Sequence, residues 1–390
     1  MTSWPLFALG DVCNINIGRT PARDTAAFWG AGHPWVSIAD LNQGRDVWRT
    51  KEQITERAVA ECNCKPVAAG TVLLSFKLSL GKVGIARTRL FTNEAIAALP
   101  IKNGAVLPKY LYRVLRWVDL SAGVDRAAKG MTLNKSKLQR VKIPVPPLPE
   151  QRRIAAILDK VDELRAKRRA ALEQLNGLTQ AIFLEMFGDP AMNPKGWVTE
   201  SLSEVVQLGT IVTYGIVQAG DEFPGGVPYI RTGDIVDGEI VQSGLRRTDP
   251  RIAARFDRSR VSGGDIVMSI RATVGTTALV PNELDGANLT QGTARIAPGG
   301  ETDRFYLLSC LRAPGSQRWI ERQVKGATFR EITLARLRQL PVPVPPLALQ
   351  KAFACRVSQT ETVKSSLRES LGTFDSLFGA LQHCAFNGAL

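Results

Sequence analysis

Residues 143–164 read IPVPPLPEQRRIAAILDKVDEL, and residues 340–363 read LPVPVPPLALQKAFACRVSQTETV. In both stretches a proline-broken apolar run meets a long charged segment with no loop between them. Pro144, Pro146 and Pro147 recur as Pro343, Pro345 and Pro346, and Gln151 recurs as Gln350, an offset of 199 residues. Proline lacks the N–H that an interior strand must donate, so VKIPVP and LPVPVP can form only edge or terminal strands. Such a run is a stiff, extended exit. Pro149 and Glu150 then suit the first turn of a helix, where proline costs little and a carboxylate meets the positive end of the dipole. Gly188 and Pro190 mark where that helix stops.

The repeat extends outward from this element. PWVSIADL at residue 34 aligns with PYIRTGDI at 228, and VAAGTVLLSFKLSLG at 67 with VSGGDIVMSIRATVG at 261, both at an offset of 194. Tyr110 and Leu111 match Tyr306 and Leu307, and KGMT at 129 matches KGAT at 325, at 196. From Leu138 and Leu337 the offset is 199 to the end of the chain. The chain is therefore two copies of one unit, each a globular part followed by a helix. The expected boundaries are 1–148, 149–188, 189–346 and 347–390. TVLLSFKLSLGKVGIARTRL reads as two strands about a glycine-bearing turn. PKYLYRVLRWVDL and DRFYLLSCLRAPGSQRWIERQV read as amphipathic helices.

Heptads written from Ile154 place Ile154, Val161, Arg168, Leu175 and Ile182 in one layer, and Ile157, Leu164, Ala171, Leu178 and Glu185 in the other. The second copy gives Phe353, Thr360, Leu367, Phe374 and Leu381, with Arg356, Val363, Ser370, Leu377 and Cys384. An apolar stripe sustained over this length predicts a coiled-coil seam. The other reading is an amphipathic helix lying on its own domain. A helix of about 38 residues rises about 57 Å, too far for one small domain to cover, so the two seams are expected to pair with each other. Antiparallel pairing would set the two globular units at opposite ends. The fold expected is α+β: two mixed α/β units separated by an antiparallel two-helix coiled coil, with a pseudo-two-fold internal repeat.

The 390 residues carry a net charge of +14, with a pI near 9.8. That excess favours a polyanionic partner such as nucleic acid. Residues 1–195 hold 29 basic and 17 acidic residues, and residues 196–390 hold 21 and 19. The first half should thus supply more of any salt-dependent affinity. The six cysteines form no disulfide or zinc pattern, and reduced thiols fit the cytosol. The start, MTSWPLFALGDV, lacks signal-peptide blocks, and no apolar run is long enough to span a membrane. The expected compartment is the cytoplasm.

PPLPEQRRIAAILDKVDEL, followed by a heptad helix ending LEMFGD, resembles the specificity subunit of type I restriction–modification enzymes. The alternation of globular part and helix, repeated over essentially the whole chain, resembles it too. The second copy departs from that pattern at PPLALQ, where Leu349 stands in place of Glu150. The resemblance implies two target-recognition domains reading the halves of an asymmetric bipartite site on double-stranded DNA. It implies a non-catalytic chain that brings two methylation subunits and translocating restriction subunits to that site. S-adenosylmethionine, ATP and Mg would be cofactors of those partners, with none in this chain. The paired helices, through Ile154, Ile157, Val161, Leu164, Leu175, Leu178 and Ile182 and through Phe353, Val363, Leu367, Phe374, Leu377 and Leu381, would also serve partner docking.

The residues themselves offer little for catalysis. No [ND]-P-P-[YF] motif occurs, neither Gly10–Gly18 nor LGKVG at 80 has phosphate-loop spacing, and His33 and His383 are the only histidines. His33 reads as a loop or core residue. Asp40 and Asp234 read as turn caps rather than metal ligands. DNA positioning uses Lys and Arg, and base readout uses Arg, Asn and Gln. Lys77 and Arg271, matched beside a turn, and Lys129 and Lys325, before Gly-x-Thr, are the first candidates for DNA contact; solvated surface charge is the other reading. Arg19, Lys82, Arg231, Asn288, Gln291 and Arg330 follow, whereas Thr132 and Thr328 read as structural. Two other functions stay open on residues alone: a coiled-coil scaffold joining proteins without sequence-specific DNA recognition, and a nuclease or methylase on an unfamiliar fold.

Overall fold

Four helices carry the repeat: α1 (Pro108–Leu115), α2 (Leu148–Phe187), α3 (Arg304–Arg312) and α4 (Leu347–Asn387). The structure, a computed structural model, describes residues 4–120, 125–127, 130–326 and 330–390. Its contacts divide the chain into one unit of Met1–Arg168 with Ser370–Leu390 and another of Arg169–Glu369. The division falls inside both long helices rather than at residues 148, 188 and 346, because each globular part packs on half of each helix.

In the first unit a five-stranded sheet runs Asn16–Ile17, Ile96–Leu99, Val72–Ser75, Val83–Ala86, Asp46–Val47. The central strand Val72–Ser75 is buried on both faces. One side of the sheet packs on Val36, Leu41 and Leu90. The other packs on α1 and on both long helices, through Ile154 and Leu158 at the start of α2 and Ala385 and Phe386 at the end of α4. A smaller sheet, Glu52–Ile54, Trp29–Val36 and Phe91–Thr92, encloses Trp35 and Phe28.

The second unit repeats the plan with four strands, Thr213–Tyr214, Thr293–Ile296, Ile266–Ser269 and Thr277–Leu279. Its core takes Phe183 and Phe187 from the end of α2 and Phe353 and Val357 from the start of α4. These three phenylalanines and Tyr306 stack with ring centroids 4.8–5.7 Å apart. The sequence DRFYLLSCLRAPGSQRWIERQV forms two helices, because Pro314 stops α3 and begins a second at Pro314–Gln323.

The proline exits behave as edge strands. Lys142–Pro144 pairs antiparallel with Leu6–Ala8, and Pro341–Pro343 with Thr199–Ser201. Beyond them the chain must enter a helix with carbonyls that no ladder satisfies. Two side chains supply the donors. Tyr110 Oη donates to the Pro144 carbonyl at 2.8 Å. Gln151, wholly buried, donates Nε2 to Pro146 O at 2.9 Å and Ala105 O at 3.0 Å, while its Oε1 accepts from Leu107 N at 2.8 Å. The second unit repeats every contact: Tyr306 to Pro343 at 2.5 Å, and Gln350 to Pro345 at 2.8 Å and Glu301 at 3.2 Å, accepting from Asp303 N at 2.9 Å. Burial pushes both phenols well above the usual tyrosine range.

Ion pairs add a second tie between each globular part and its helix. Arg113, 2% exposed, spans Asp159 at 2.6 Å and Asp162 at 2.7 Å on α2. Arg45 meets Asp159 at 2.7 Å. The position matched to Arg45 is Glu239, and it meets Arg368 of α4 at 2.6 Å, with the charges exchanged.

The helices are antiparallel in both units. In the first, Arg153 reaches Leu390 O and Arg165 pairs with Asp375 at 2.5 Å. In the second, Lys364 donates to Thr179 Oγ1 at 3.3 Å and Arg356 lies 3.9 Å from Met186 Sδ. Residue number rises along one helix as it falls along the other. The seam register needs correction. Ile154, Val161 and Phe353 are buried, and Ile157, Leu164, Leu175, Ile182, Leu367, Phe374 and Leu381 are half-buried. Leu178, Val363 and Leu377, however, are 49%, 51% and 43% exposed. The second layer lies one residue later, at Leu158, Arg165, Leu172, Thr179 and Met186 and at Val357, Lys364, Leu371, Phe378 and Ala385, all buried or half-buried. A heptad has steps of three and four, and the larger step follows Ile154 and Phe353. Polar members hid it. Arg165 stacks on Phe378 at 4.5 Å, and the Lys364 side chain, 3% exposed, is paired with Glu361 at 2.7 Å.

Gln151→Leu keeps the volume but strands one N–H and two carbonyls, so the denaturant midpoint should fall by an amount equal to about 2–4 kcal/mol. Leu178→Asp, on the exposed side, should change stability by less than about 0.5 kcal/mol. Equal effects would refute the buried clamp. A second expectation concerns acid. Burial alone would raise the Asp162 carboxyl, but the hydrogen bond from Arg113 and the charges of Arg113, Arg165 and Arg116 outweigh it and hold the group below the usual carboxylate range. The folded value lies under the unfolded one. Its contribution is therefore complete above the unfolded value of about 3.9 and is lost as pH falls through the folded value. Thermal melts recorded from pH 6 downward should show Tm dropping below about pH 4, and Asp162→Asn should flatten part of that drop.

Candidate nucleic-acid interface

A turn between two central strands presents the matched basic pair in each unit. In the first unit residues 76–82 connect Val72–Ser75 to Val83–Ala86. Ser75 is wholly buried; its hydroxyl donates to Ser79 O and accepts from Lys82 N at 2.9 Å. Gly81 N donates to Ser75 O at 3.0 Å from φ +80°, a conformation that glycine adopts without strain. Lys77 and Lys82 leave the turn on either side, both half-buried and neither paired with a carboxylate among the described residues. In the second unit residues 270–276 connect Ile266–Ser269 to Thr277–Leu279. Ser269, also wholly buried, donates to Arg271 O at 2.8 Å, and Gly275 N donates to Ser269 O at 2.9 Å from φ +91°.

The first Gly-x-Thr block meets its turn. Gly130–Thr132 pairs with Lys77–Leu78, with Thr132 opposite Lys77. In the second unit Glu331 bridges by backbone to both Arg271 and Lys325. Arg271 Nη2 lies 3.1 Å from Glu331 Oε1, while its Nε is buried with no acceptor among the described residues. Lys325 is exposed. Arg330, also exposed, is paired with Glu321, and its carbonyl accepts from Ala272 N at 3.0 Å. Arg271, Lys325 and Arg330 thus converge on one turn. Lys129 and Thr328 lie outside the described residues.

The remaining candidates scatter. Arg231 commits its guanidinium to Asp234 at 2.7 and 3.0 Å. Asp234 also accepts from Arg231 N, as Asp40 accepts from Ser37 N at 2.8 Å, so both aspartates cap turns. Gln291 is half-buried beside Gly292, where an added Cβ would lie 3.1 Å from Thr232 and 3.9 Å from Arg271; this places Gln291 and Arg231 next to the basic turn. Arg19 is exposed, and its carbonyl holds Trp35 Nε1 at 3.0 Å. Asn288 is a correction. It is 1% exposed, accepts from Ser259 Oγ at 2.6 Å and donates to Ala253 O, so it belongs to the interior and cannot reach a base. Its strand, Asn288–Leu289, lies against Val227–Ile230 and turns that side chain inward. His33 sits on a strand with Nε2 2.6 Å from Glu56 Oε1. No group of His, Cys, Asp and Glu suited to a metal occurs among the described residues. No described helix is long and apolar enough to cross a membrane.

The bracing serines escaped the residue-by-residue reading, although VLLSFK and IVMSIR align them. Serine is common in strands and signals nothing until its hydroxyl is seen to close a turn. If the turns carry phosphate contacts, Lys77→Ala and Arg271→Ala should each lower the slope of log affinity against log salt by about one, with Tm unchanged. Asn288→Ala should instead lower Tm and leave the slope alone. Fluorescence anisotropy with a random duplex across a salt series, alongside thermal melts, separates the two.

Residues 1–174 and 194–371 each match the family model described as the type I restriction modification DNA specificity domain. The type I restriction enzyme MjaIX specificity subunit of Methanocaldococcus jannaschii is 26% identical over 385 residues, covering 90% of this chain and 85% of that protein. The EcoBI specificity subunit of Escherichia coli is 26% identical over 327 residues, covering 76% and 69%. Two solved structures share the fold. One, described as the structural basis underlying complex assembly and conformational transition of the type I R-M system, covers 100% of this chain and 99% of its own, with a TM-score of 0.52 and 21% identity. The other, the S subunit of a type I system from M. genitalium, covers 98% and 96%, with a TM-score of 0.53 and 13% identity.

Proposed function

The chain belongs to the type I restriction modification DNA specificity family, and on that premise we propose that it is the sequence-reading, non-catalytic subunit of a type I restriction–modification enzyme. Each globular unit reads one half of a bipartite site on double-stranded DNA. The chain directs methylation and restriction subunits to that site. The observation that carries this reading is the duplicated turn: a buried serine, a basic residue and a positive-φ glycine at matched positions in both units. The first turn offers Lys77 and Lys82, and the second offers Arg271 with Lys325 and Arg330 nearby. Point charges on flexible stems and a planar fork do not select the same partners, so the two half-sites differ and the site is not a palindrome.

Two methylation subunits dock on α2 and α4, and restriction subunits join them. S-adenosylmethionine, ATP and Mg belong to those partners, and the complex works in the cytoplasm. Coexpression with the methylation subunits, followed by mapping of methylated adenines, should return one two-part sequence with an unread gap. The chain alone, incubated with DNA, magnesium and labelled S-adenosylmethionine, should transfer no label and cut nothing. Label or cleavage from the isolated chain, or affinity for duplex that ignores salt, would overturn the proposal.

A further inference from the structure

Six non-glycine residues have positive φ among the described residues. Four of them, Asn63, Asn103, Asn193 and Asp237, are of the types that tolerate the left-handed region. The other two are Leu78 at φ +65° and Ala272 at φ +58°. They occupy matched positions, 194 residues apart, in the two basic turns. Ser79 N donates to Lys77 O at 2.8 Å, closing a three-residue turn around Leu78 in its strained form. Glycine would satisfy either position without strain. A side chain retained there, against the backbone, must act beyond the turn, because strain of this kind survives where the surroundings over-determine it and tends to mark working sites. The surroundings here do so: Ser75 and Ser269 lock the two turns from within.

The side chains do not serve the core. Leu78 is 61% exposed, and Ala272 is exposed as well. Leu78 stands beside Lys77, with Lys82 returning across the same turn, so an apolar group is held rigidly outward between two cations that have no carboxylate partner among the described residues. A surface built to bind phosphates has no use for a leucine at that point unless something apolar approaches it. The apolar group that DNA exposes in its major groove is the thymine C5-methyl.

Building on the reading as a DNA specificity subunit, we propose that Leu78 and Ala272 are specificity-determining residues, each packing on a thymine methyl in the half-site read by its own unit while the adjoining Lys77 and Arg271 hold the backbone. Leucine reaches further than alanine, so the two contacts fall at different depths and contribute to the difference between half-sites.

The test uses the complex with its methylation subunits and duplexes carrying the mapped site, in which each thymine in turn is replaced by deoxyuridine. That change removes one methyl and keeps every hydrogen bond. The wild-type complex should lose about four-fold in affinity at one thymine in each half, the worth of one buried methyl. Leu78→Gly should abolish the loss in the first unit's half alone, and Ala272→Gly in the other alone. Tm should stay level or rise in both variants, since glycine relaxes the turn. Equal affinity for all thymine and deoxyuridine duplexes would overturn the inference while leaving sequence recognition intact. A lowered Tm with methyl discrimination unchanged would make the residues structural and overturn it too. A wild-type complex that prefers no sequence would instead refute the underlying reading of function.

Discussion

Everything in this protein hangs on how a chain passes from a proline run into a helix without losing its hold on the globular part. Gln151 and Gln350 provide that hold. Each is wholly buried and bonds the proline exit behind it and the segment leading into α1 or α3. Tyr110 and Tyr306 repeat the tie from the helix side. Buried amides are costly when unpaired, so these glutamines admit one geometry, and that geometry sets the direction in which α2 and α4 leave.

Directed in this way, each helix contributes to two cores. Ile154 and Leu158 lie with Ala385 and Phe386, while Phe183 and Phe187 lie with Phe353 and Val357. A helix that served as a passive strap would not need large aromatics at the very ends where the globular parts sit. The middle of the seam is more polar, with Arg165, Arg168, Thr179 and Lys364 facing across it. Polar groups in a seam cost stability but discriminate between registers, and the exchanged charges at Arg45–Asp159 and Glu239–Arg368 favour each globular part on its own helix.

The two turns show how a duplicated framework supports different readings. Their serines and glycines coincide, so the backbone is held the same way. The outward residues diverge: lysine beside leucine in one, arginine beside alanine in the other. Divergence at the outward residues lets recognition change while the bracing serines and glycines stay put.

The sequence by itself determined the duplication, the two long helices, the edge character of the proline runs and the basic excess, because proline chemistry, periodicity and charge are local properties of the chain. The family resemblance rests on the PPLPEQ run and the repeated layout, and the paired basic turns on the matched positions of Lys77 and Arg271. Only the tertiary structure decided the rest. The heptad register depends on which neighbour faces a side chain, so Leu178, Val363 and Leu377 look like seam residues until Thr179, Lys364 and Phe378 are found facing inward. Asn288 has the chemistry of a base reader, and only its burial shows that its amide is spent on the interior. Positive φ at a leucine leaves no mark in the one-letter code. It arises where a buried hydroxyl and a strand pairing, each distant in the chain, together over-determine a turn.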